Sequence, residues 1–326
     1  MRNFVINIGY LLSMVAGFFS DMRSQKKRTI LTILGIVWGT AAVVIMMAVG
    51  TSTRRQNMKN FRGIGDGIIL VFPGTTTMPY RGFGVDRRIT MEESDIDLLR
   101  REIPEIDLIS EEYSDWNMTL RYSDKIRSPM VAGVNTEYSD MRSVFPQPGG
   151  RFFNELDMEQ KRRVVFLGNE LKDFLFGEEN QAVGKLCKIN GVPFRVIGVL
   201  KKKVQNSSYN SRDSDRAYIP STTFQSMTGN RFINNLVATH RVGRSDSRYV
   251  VERIREVLGK KYMFNPEDES ALHIWDTGEF FDEFMLFFKA FNVFLVMMGA
   301  VTLAVGGLGV SNIMYVVVRE RSREIG

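Results

Sequence analysis

Hydrophobic and polar positions are sharply segregated along this chain. Charged residues are scattered through its middle, but the runs 30–50 and 290–318 contain none. At ~1.5 Å per residue the first run would form about 31 Å of helix, which matches the hydrocarbon core of a bilayer. It also lacks the polar stripe of a buried helix in a soluble protein. The pattern predicts a membrane helix near each end, with a large folded domain outside the membrane between them.

The second hydrophobic run is longer than a bilayer requires. It would form about 43 Å of helix, so we expect part of it to project out of the membrane. The preceding segment 280–289, with charges among phenylalanines, would continue it as an amphipathic stalk. Small residues predict faces that let another helix approach, although membrane helices also simply tolerate glycine. These residues are Gly35 and Gly39 in the first run and Ala300, Ala304, Gly306, Gly307 and Gly309 in the second.

Between the two runs the pattern changes to short strands, turns and amphipathic helices. Alternating apolar residues around Asn190 and Gly191 indicate a β-hairpin, and Thr90 with Glu93 resembles the capping box of a helix. Strands are predicted at 67–74, 164–168, in both arms of 184–200, at the start of 218–224 and at 272–275. Helices are predicted at 90–101, 170–176, at the end of 218–224 and at 251–259, with an exposed polar loop at 201–216. The predicted fold is a mixed α+β extracytoplasmic domain with two lobes and mixed sheets, flanked by transmembrane α-helices.

Overall composition alters this picture little. The chain is 44% hydrophobic and 25% charged, which resembles a soluble protein because the average conceals the segregation. Its net charge of +6 is compatible with nucleic-acid binding, but a basic cluster from Arg23 to Arg28 immediately precedes the first run. Such a cluster indicates membrane topology and contact with anionic lipids. Because no zinc-finger spacing or RNA-binding motif accompanies it, we expect membrane lipids rather than nucleic acid as a partner.

The same charges predict the orientation of the chain. Arg319, Arg321 and Arg323 follow the second run, so both ends are predicted to be cytoplasmic and the domain periplasmic or extracellular. Arg54 and Arg55, just beyond the first run, weaken this asymmetry slightly. Residues 4–19 are compatible with a signal peptide, an extra span or an interfacial helix. A cleaved signal would leave the basic cluster outside and has no evident cleavage site, so we favour the interfacial helix.

Residue types that carry catalysis are sparse. His240 and His273 belong to no HExxH motif, and a single cysteine offers neither a disulfide nor a zinc cluster. That residue, Cys187, lies in an alternating run and is predicted to be a buried strand residue. No GxSxG elbow with a histidine partner and no phosphate-binding loop occurs. We therefore expect no catalytic residue, no metal and no cofactor in this sequence.

Several motifs resemble those of ABC transporter permeases of the MacB/FtsX-like family. Similarity to the MacB-type periplasmic core lies in RTILTILGI at 28–36, VVFLG at 164–168, FG at 176–177, VGK at 183–185 and INGVPFRVIGV at 189–199. The closing GGLGVSNIMYVVVRERSREIG at 306–326 is similar to the FtsX-like permease signature. Together these motifs cover nearly the whole chain.

The resemblance implies a permease that works by mechanotransmission in the bacterial inner membrane. In that family a separate cytoplasmic ATPase drives two permease copies, which move an extracytoplasmic domain and can act with a periplasmic adaptor and an outer-membrane channel. It implies an ATPase contact at Glu320, Arg323, Glu324 and Gly326. Family members have four membrane helices, so we expect the last two to be missing from this sequence.

The implied organisation has five parts along the chain. They are an interfacial helix (1–29), transmembrane helix 1 (30–50), a MacB-like core domain (51–283), a stalk with transmembrane helix 2 (284–318) and an ATPase-contact segment (319–326). Export of a drug, peptide or lipid-like substrate is the leading hypothesis. The alternatives are a signal transmitter that regulates a partner such as a cell-wall hydrolase, and a lipoprotein-releasing permease.

Overall fold

Two long helices and a domain built on one β-sheet make up the described part of the chain. The computed structural model describes residues 26–64, 67–205, 208–241 and 247–325. Its internal contacts define two units, one of Met1–Arg55 with Met285–Gly326 and the other of Gln56–Phe284. The first is a helical unit that holds most of both long helices. The second is the sheet domain.

Eight α-helices and thirteen strands lie in the described residues. The helices are α1 Lys26–Ile64, α2 Ser94–Glu102, α3 Tyr138–Met141, α4 Glu155–Glu159, α5 Asn169–Phe176, α6 Ser221–Thr228, α7 Ser247–Tyr262 and α8 Thr277–Ile325. The strands are β1 Ile68–Pro73, β2 Met91–Glu92, β3 Ile106–Asp115, β4 Leu120–Tyr122, β5 Lys125–Arg127, β6 Met130–Val134, β7 Val164–Leu167, β8 Leu186–Ile189, β9 Val192–Val199, β10 Arg216–Pro220, β11 Phe232–Ile233, β12 Asn235–His240 and β13 Leu272–Asp276.

The long helices contain the two charge-free runs. Within α1 the segment Ile33–Gln56, and within α8 the segment Thr277–Asn312, are long and apolar enough to cross a membrane by length and composition. At ~1.5 Å per residue the 49 residues of α8 extend about 74 Å, more than twice the thickness of a hydrocarbon core. The prediction of a helix longer than the membrane agrees with these bounds. The predicted interfacial helix at 4–19 lies outside the described residues.

A mixed sheet of eleven strands forms the domain, in the order β13-β1-β12-β3-β6-β10-β7-β9-β8-β4-β5. The pairs β6–β10 and β7–β9 are parallel, and the other neighbours are antiparallel. A separate two-stranded ribbon joins β2 to β11. The predicted mixed α+β class is confirmed. Two lobes were expected, but one sheet continues across the domain. The parallel pair β6–β10 joins the strands from β13 to β6 to the strands from β10 to β5.

Hydrophobic residues cover both faces of this sheet. In β1, Ile69 and Val71 belong to one buried cluster and Ile68 and Leu70 to another, as the two-residue period of a strand requires. The first cluster includes apolar residues of α2, α5, α6 and α7, and the second includes those of α3 and Phe152. Strands β1, β6 and β7, which are apolar on both faces, accordingly have continuous hydrophobic sequences.

Turn chemistry explains one success and one error of the sequence analysis. The hairpin between β8 and β9 is closed by Asn190 and Gly191, whose φ angles of 47° and 82° are the positive values that a tight type I′ turn requires. The capping box at Thr90 and Glu93 is wrong. Residues 91–92 pair with β11 as a strand, so α2 begins at Ser94, and Glu93 precedes it without a side-chain capping bond.

Candidate functional site

The two long helices pack against each other where glycines remove side-chain bulk. A Cβ atom placed on Gly306 of α8 would lie 2.7 Å from Cγ1 of Ile36 in α1. A Cβ on Gly39 of α1 would overlap the methyl group of Thr302 in α8. Carbon atoms in contact are normally about 3.5–4.0 Å apart, so neither position admits a side chain unless the helices separate or the facing side chain moves. Glycine at both positions therefore permits the close approach of α1 to α8.

Four of the remaining predicted packing positions face away from this contact, and Gly309 is partly buried. Gly35, Ala300, Ala304 and Gly307 are exposed in the single chain, and no atom lies within 4 Å of a Cβ placed on either of these glycines. Large apolar side chains on the same helices are also exposed, Trp38 at 76% among them. Exposed apolar surface of this extent requires lipid or another protein chain. The packing function of these positions stays a prediction.

The sheet domain holds the start of α8 against the strand that follows α1. The backbone N–H of Ile68, the first residue of β1, donates to Oγ1 of Thr277 at 3.0 Å. The Thr277 hydroxyl in turn donates to the carbonyl oxygen of Ile68, also at 3.0 Å. Both groups are buried, and Asp276 accepts a hydrogen bond from the backbone N–H of Gly278 at 2.7 Å. The first turn of α8 is thereby fixed to the edge of the sheet.

Strand pairing extends this attachment. β13, which leads directly into α8, pairs antiparallel with β1 from Ile69 opposite Asp276 to Pro73 opposite Leu272. β1 pairs on its other side with β12. The two chain segments that lead to the helices are therefore neighbours in the sheet, joined by a ladder of backbone hydrogen bonds.

A cluster of buried charges lies deeper in the same domain. Arg142 and Asp213 are both fully buried, with 3.1 Å between Nη2 and Oδ1, and Lys203 places its Nζ 2.6 Å from the other Asp213 oxygen. Arg216, also fully buried, contacts Glu112 at 3.0 Å. Removing so many charges from water is costly unless each has a partner of opposite charge. Each of these charges has such a partner. The residues come from β3, the end of α3, the loop before β10 and the start of β10.

Tyrosines close the space around these charges. Tyr209 donates to Glu112 and lies 3.0 Å from the hydroxyl of Tyr138, and the guanidinium of Arg142 stands 4.7 Å above its ring. Tyr218 donates to Asp213 at 2.9 Å. These contacts tie the loop 201–216 to the sheet, because Tyr209 and Asp213 both belong to it.

The electrostatics of the cluster favour its charged forms. Burial alone would raise the pKa of Asp213, but the charges of Arg142, Lys203 and Arg216 outweigh burial and hold that pKa well below its usual range. Burial lowers the pKa of Lys203 to about 8, against the opposing attraction of Asp213. The ionised form of Asp213 is therefore favoured at neutral pH, and its ion pairs hold the loop in place.

The sequence analysis missed this cluster. It predicted an exposed polar loop at 201–216, whereas Asp213 and Arg216 are fully buried and Lys203 is largely so. Polar composition predicts exposure because isolated charges stay in water, and the partners that reverse this preference, Glu112 and Arg142, come from distant positions. No local pattern in the sequence marks such a pairing.

The implied ATPase contact lies at the far end of α8. The backbone of α8 is helical to Ile325. The side chains of Glu320, Arg323 and Glu324, and Gly326 itself, lie outside the described part of the structure. Their role stays a prediction.

Chemically reactive groups in the described domain are few. Within residues 26–64, 67–205, 208–241 and 247–325, no group of three or more His, Cys, Asp or Glu side chains is arranged to hold a metal ion. Cys187 lies in β8 and is buried, as predicted, and burial raises the pKa of its thiol to about 12.

Comparison with known proteins identifies the relationship. A family model described as the MacB-like periplasmic core domain matches residues 29–255. The chain belongs to this family. The predicted relationship to ABC transporter permeases of the MacB/FtsX-like type is confirmed, and the fold described above is that of a membrane-anchored MacB-like periplasmic domain.

Curated relatives of this MacB-like chain are named as exporters. It is 31% identical over 320 residues to the macrolide export ATP-binding/permease protein MacB of Chlorobaculum tepidum, which covers 97% of this chain and 48% of the relative. It is 30% identical over 318 residues to the pyoverdine export ATP-binding/permease protein PvdT of Pseudomonas savastanoi, with 98% and 46% covered. The chain thus spans less than half the length of these relatives.

Two solved structures share the fold of the MacB-like domain. The periplasmic region of MacB from Actinobacillus actinomycetemcomitans aligns with a TM-score of 0.53 at 22% identity, over 70% of this chain and 96% of that one. The extracellular domain of the ABC-type transporter YknZ from Gram-positive bacteria gives 0.52 at 19% identity, over 64% and 100%.

Proposed function

We propose that this chain is the permease subunit of an ABC transporter that works by mechanotransmission. A separate cytoplasmic ATPase hydrolyses ATP, and two copies of the permease carry its movement across the inner membrane to the periplasmic domain. The observation that supports this most directly is the pair of hydrogen bonds between Thr277 and Ile68. They join the start of α8 to the strand that follows α1.

Three physical features favour this mechanism. A helix with intact backbone hydrogen bonds is stiff along its axis, and α8 is a single helix of 49 residues. Its first turn is bonded to β1, so an axial force reaches the sheet without passing through a flexible loop. The buried charge cluster then fixes the loop 201–216 to that sheet, so that the domain responds as a unit.

Export of a small organic compound is the transport reaction that we propose. The named relatives export macrolides and pyoverdine, which supports export over signalling or lipoprotein release. In that role a periplasmic adaptor and an outer-membrane channel would receive the substrate from the periplasmic domain. Both termini of the described chain would then be cytoplasmic.

The ATPase contact is tested by charge reversal at the end of α8. In membranes that contain the ATPase subunit, we expect Glu320→Lys with Glu324→Lys to abolish co-purification of the ATPase, because ion pairs at the contact become repulsions. Glu283→Lys, the same change at the other end of the helix, is the matched control and should co-purify normally. Intact co-purification of the double variant would overturn this assignment.

The coupling step is tested separately at Thr277. Thr277→Val keeps the shape of the side chain and removes both hydrogen bonds to Ile68, whereas Thr277→Ser retains the hydroxyl. We expect the valine variant to bind the ATPase and to support ATP hydrolysis by it, but to lose most export. The serine variant should retain export. Equal export by both variants would refute the proposed path.

A further inference from the structure

A groove in the sheet domain is strongly acidic although the chain as a whole has a net charge of +6. Its volume is about 630 Å³. Its walls come from α2, β3, the turn between β6 and α3, α4 and the start of α6. The charged residues that line it are Glu93, Asp97, Glu111, Glu137, Glu155 and Glu159, with Arg100 and Lys161. This groove shares no residue with the buried charge cluster or with the long helices.

Few of these carboxylates are neutralised within the domain. Arg100 forms an ion pair with Glu137 at 2.6 Å, and Glu137 also accepts from the backbone N–H of Ile109 at 2.9 Å. Glu155 accepts a hydrogen bond from the hydroxyl of Thr136, and Glu93 accepts one from the side-chain amide of Gln225. Both donors are neutral, so neither carboxylate gains a counter-charge. Among the described lining residues, Lys161 is therefore the remaining cation against five carboxylates. The potential of the groove favours a cationic occupant.

The carboxyl group at the floor of the groove is the decisive observation. Glu111 in β3 lines the groove yet is only 3% exposed, and among the described residues its carboxylate has no ion pair. Ser221, which is 1% exposed, lies beside it and favours its charged form. The two do not reach hydrogen-bond geometry, and the Ser221 hydroxyl has no other partner in the described chain. A carboxylate this deeply buried is costly without a counter-charge, and a cationic ligand in the groove would supply one.

The lining of the groove fits an organic cation better than a metal ion. In the described residues no set of three carboxylate, imidazole or thiol groups converges closely enough to hold a metal. The volume matches sites for small organic molecules, about 300–1,000 Å³, and Ile96 and Met158 supply apolar lining. An ammonium group can donate to Glu111 while its carbon frame contacts these apolar residues.

We propose that this groove binds a small organic amine, whose ammonium group is held by Glu111 at the floor and whose carbon frame lies between α2 and α4. The site is independent of the proposed transport function, since binding requires neither the ATPase nor movement of the helices. A direct binding measurement on the full chain therefore separates the two proposals.

The probe is dansylcadaverine, a fluorescent primary amine on an alkyl stem, added to the full chain in detergent micelles. Its N-acetylated form has the same apolar body without the charge and reports partition into the micelle. We expect the amine to bind and the acetylated form not to bind above that background. Glu111→Gln should weaken amine binding about tenfold or more, because a charge-assisted hydrogen bond is lost. Glu179→Gln, an exposed carboxylate outside the groove, is the matched control and should bind as the unaltered chain does.

The pH dependence supplies a second readout. Burial, with smaller contributions from Glu93 and Glu137, raises the pKa of Glu111 to about 7 against the opposing effect of Ser221. Amine binding should therefore strengthen from pH 6 to pH 8 in the unaltered chain and change little in Glu111→Gln. Ser221→Ala removes a group that favours the ionised form of Glu111, so it should weaken binding at neutral pH and shift the pH dependence to higher pH. Equal binding of the acetylated probe, or unchanged amine binding by a folded Glu111→Gln variant, would overturn the proposal.

Discussion

The packing of α1 against α8 makes a quantitative prediction about two adjacent glycines. In Gly306→Ala the new methyl carbon would lie 2.7 Å from Cγ1 and 3.0 Å from Cδ1 of Ile36. Contact requires about 3.5–4.0 Å, so the helices must separate by about 1 Å or Ile36 must leave its rotamer. Isoleucine in a helix has essentially one favoured χ1 rotamer, so separation is the cheaper response. Overpacking of this kind costs about 1–3 kcal/mol.

The neighbouring residue provides the control. No atom lies within 4 Å of a Cβ placed on Gly307, so Gly307→Ala should be neutral or slightly stabilising. We would measure unfolding of both variants by SDS titration in mixed micelles, and expect destabilisation by Gly306→Ala alone. The pair Gly39→Ala and Gly35→Ala should behave in the same way, since Gly39 faces Thr302 and Gly35 faces no atom. Equal stability of Gly306→Ala and Gly307→Ala would refute the close packing of the helices.

Three further predictions concern the sheet domain. Asp213→Asn leaves Arg142 buried without its counter-charge, so we expect the free energy of unfolding in urea at pH 7 to fall by about 3–5 kcal/mol. The control is Asp215→Asn, which changes a partly exposed carboxylate and should cost under about 1 kcal/mol. Folding raises the pKa of Glu111 from 4.5 to about 7. The neutral form of Glu111 therefore stabilises the folded chain fully below pH 4.5, and this stabilisation is lost as the pH rises through 7. At about 1.4 kcal/mol per pKa unit the loss is about 3 kcal/mol. Glu111→Gln should remove that loss; an unchanged pH profile would contradict the burial of this charge. Cys187 should resist thiol reagents at pH 8 until the domain unfolds, and rapid labelling of the folded chain would contradict its burial.

Local sequence patterns predicted the elements of this fold well. The hairpin at Asn190 and Gly191, the apolar strand β7 and the long helix α8 each carry a signal within a few residues, because turn geometry, strand alternation and membrane length are local constraints. The boundary of α2 was wrong because pairing of β2 with the distant β11 outweighs the capping preference of Thr90. The continuity of the sheet likewise depends on the parallel pair β6–β10, whose partners are separated by several elements.

The sites depend still more on distant contacts. Gly39 and Gly306 stood out as small residues in apolar runs, but composition does not distinguish them from Gly35 and Gly307, since only the pairing of the helices gives them neighbours. The buried cluster and the acidic groove had no signal in the sequence. Each assembles ordinary charged residues from separate elements, and burial gives those residues their altered chemistry.

The central claim is that ATP hydrolysis in the cytoplasm moves the periplasmic domain through α8. It is tested most directly by a distance between one spin label on the domain at Trp116→Cys and another on α8 at Tyr315→Cys, both exposed positions. The buried Cys187 leaves these two sites free for selective labelling. The chain is reconstituted in lipid membranes with its ATPase, and the distance is measured by electron–electron double resonance in the ADP state and in the ADP–vanadate state trapped after ATP hydrolysis.

We predict a change in the mean distance on trapping, which Thr277→Val abolishes and Thr277→Ser preserves. The same distance distribution in both nucleotide states, with the ATPase bound and active, would contradict the account.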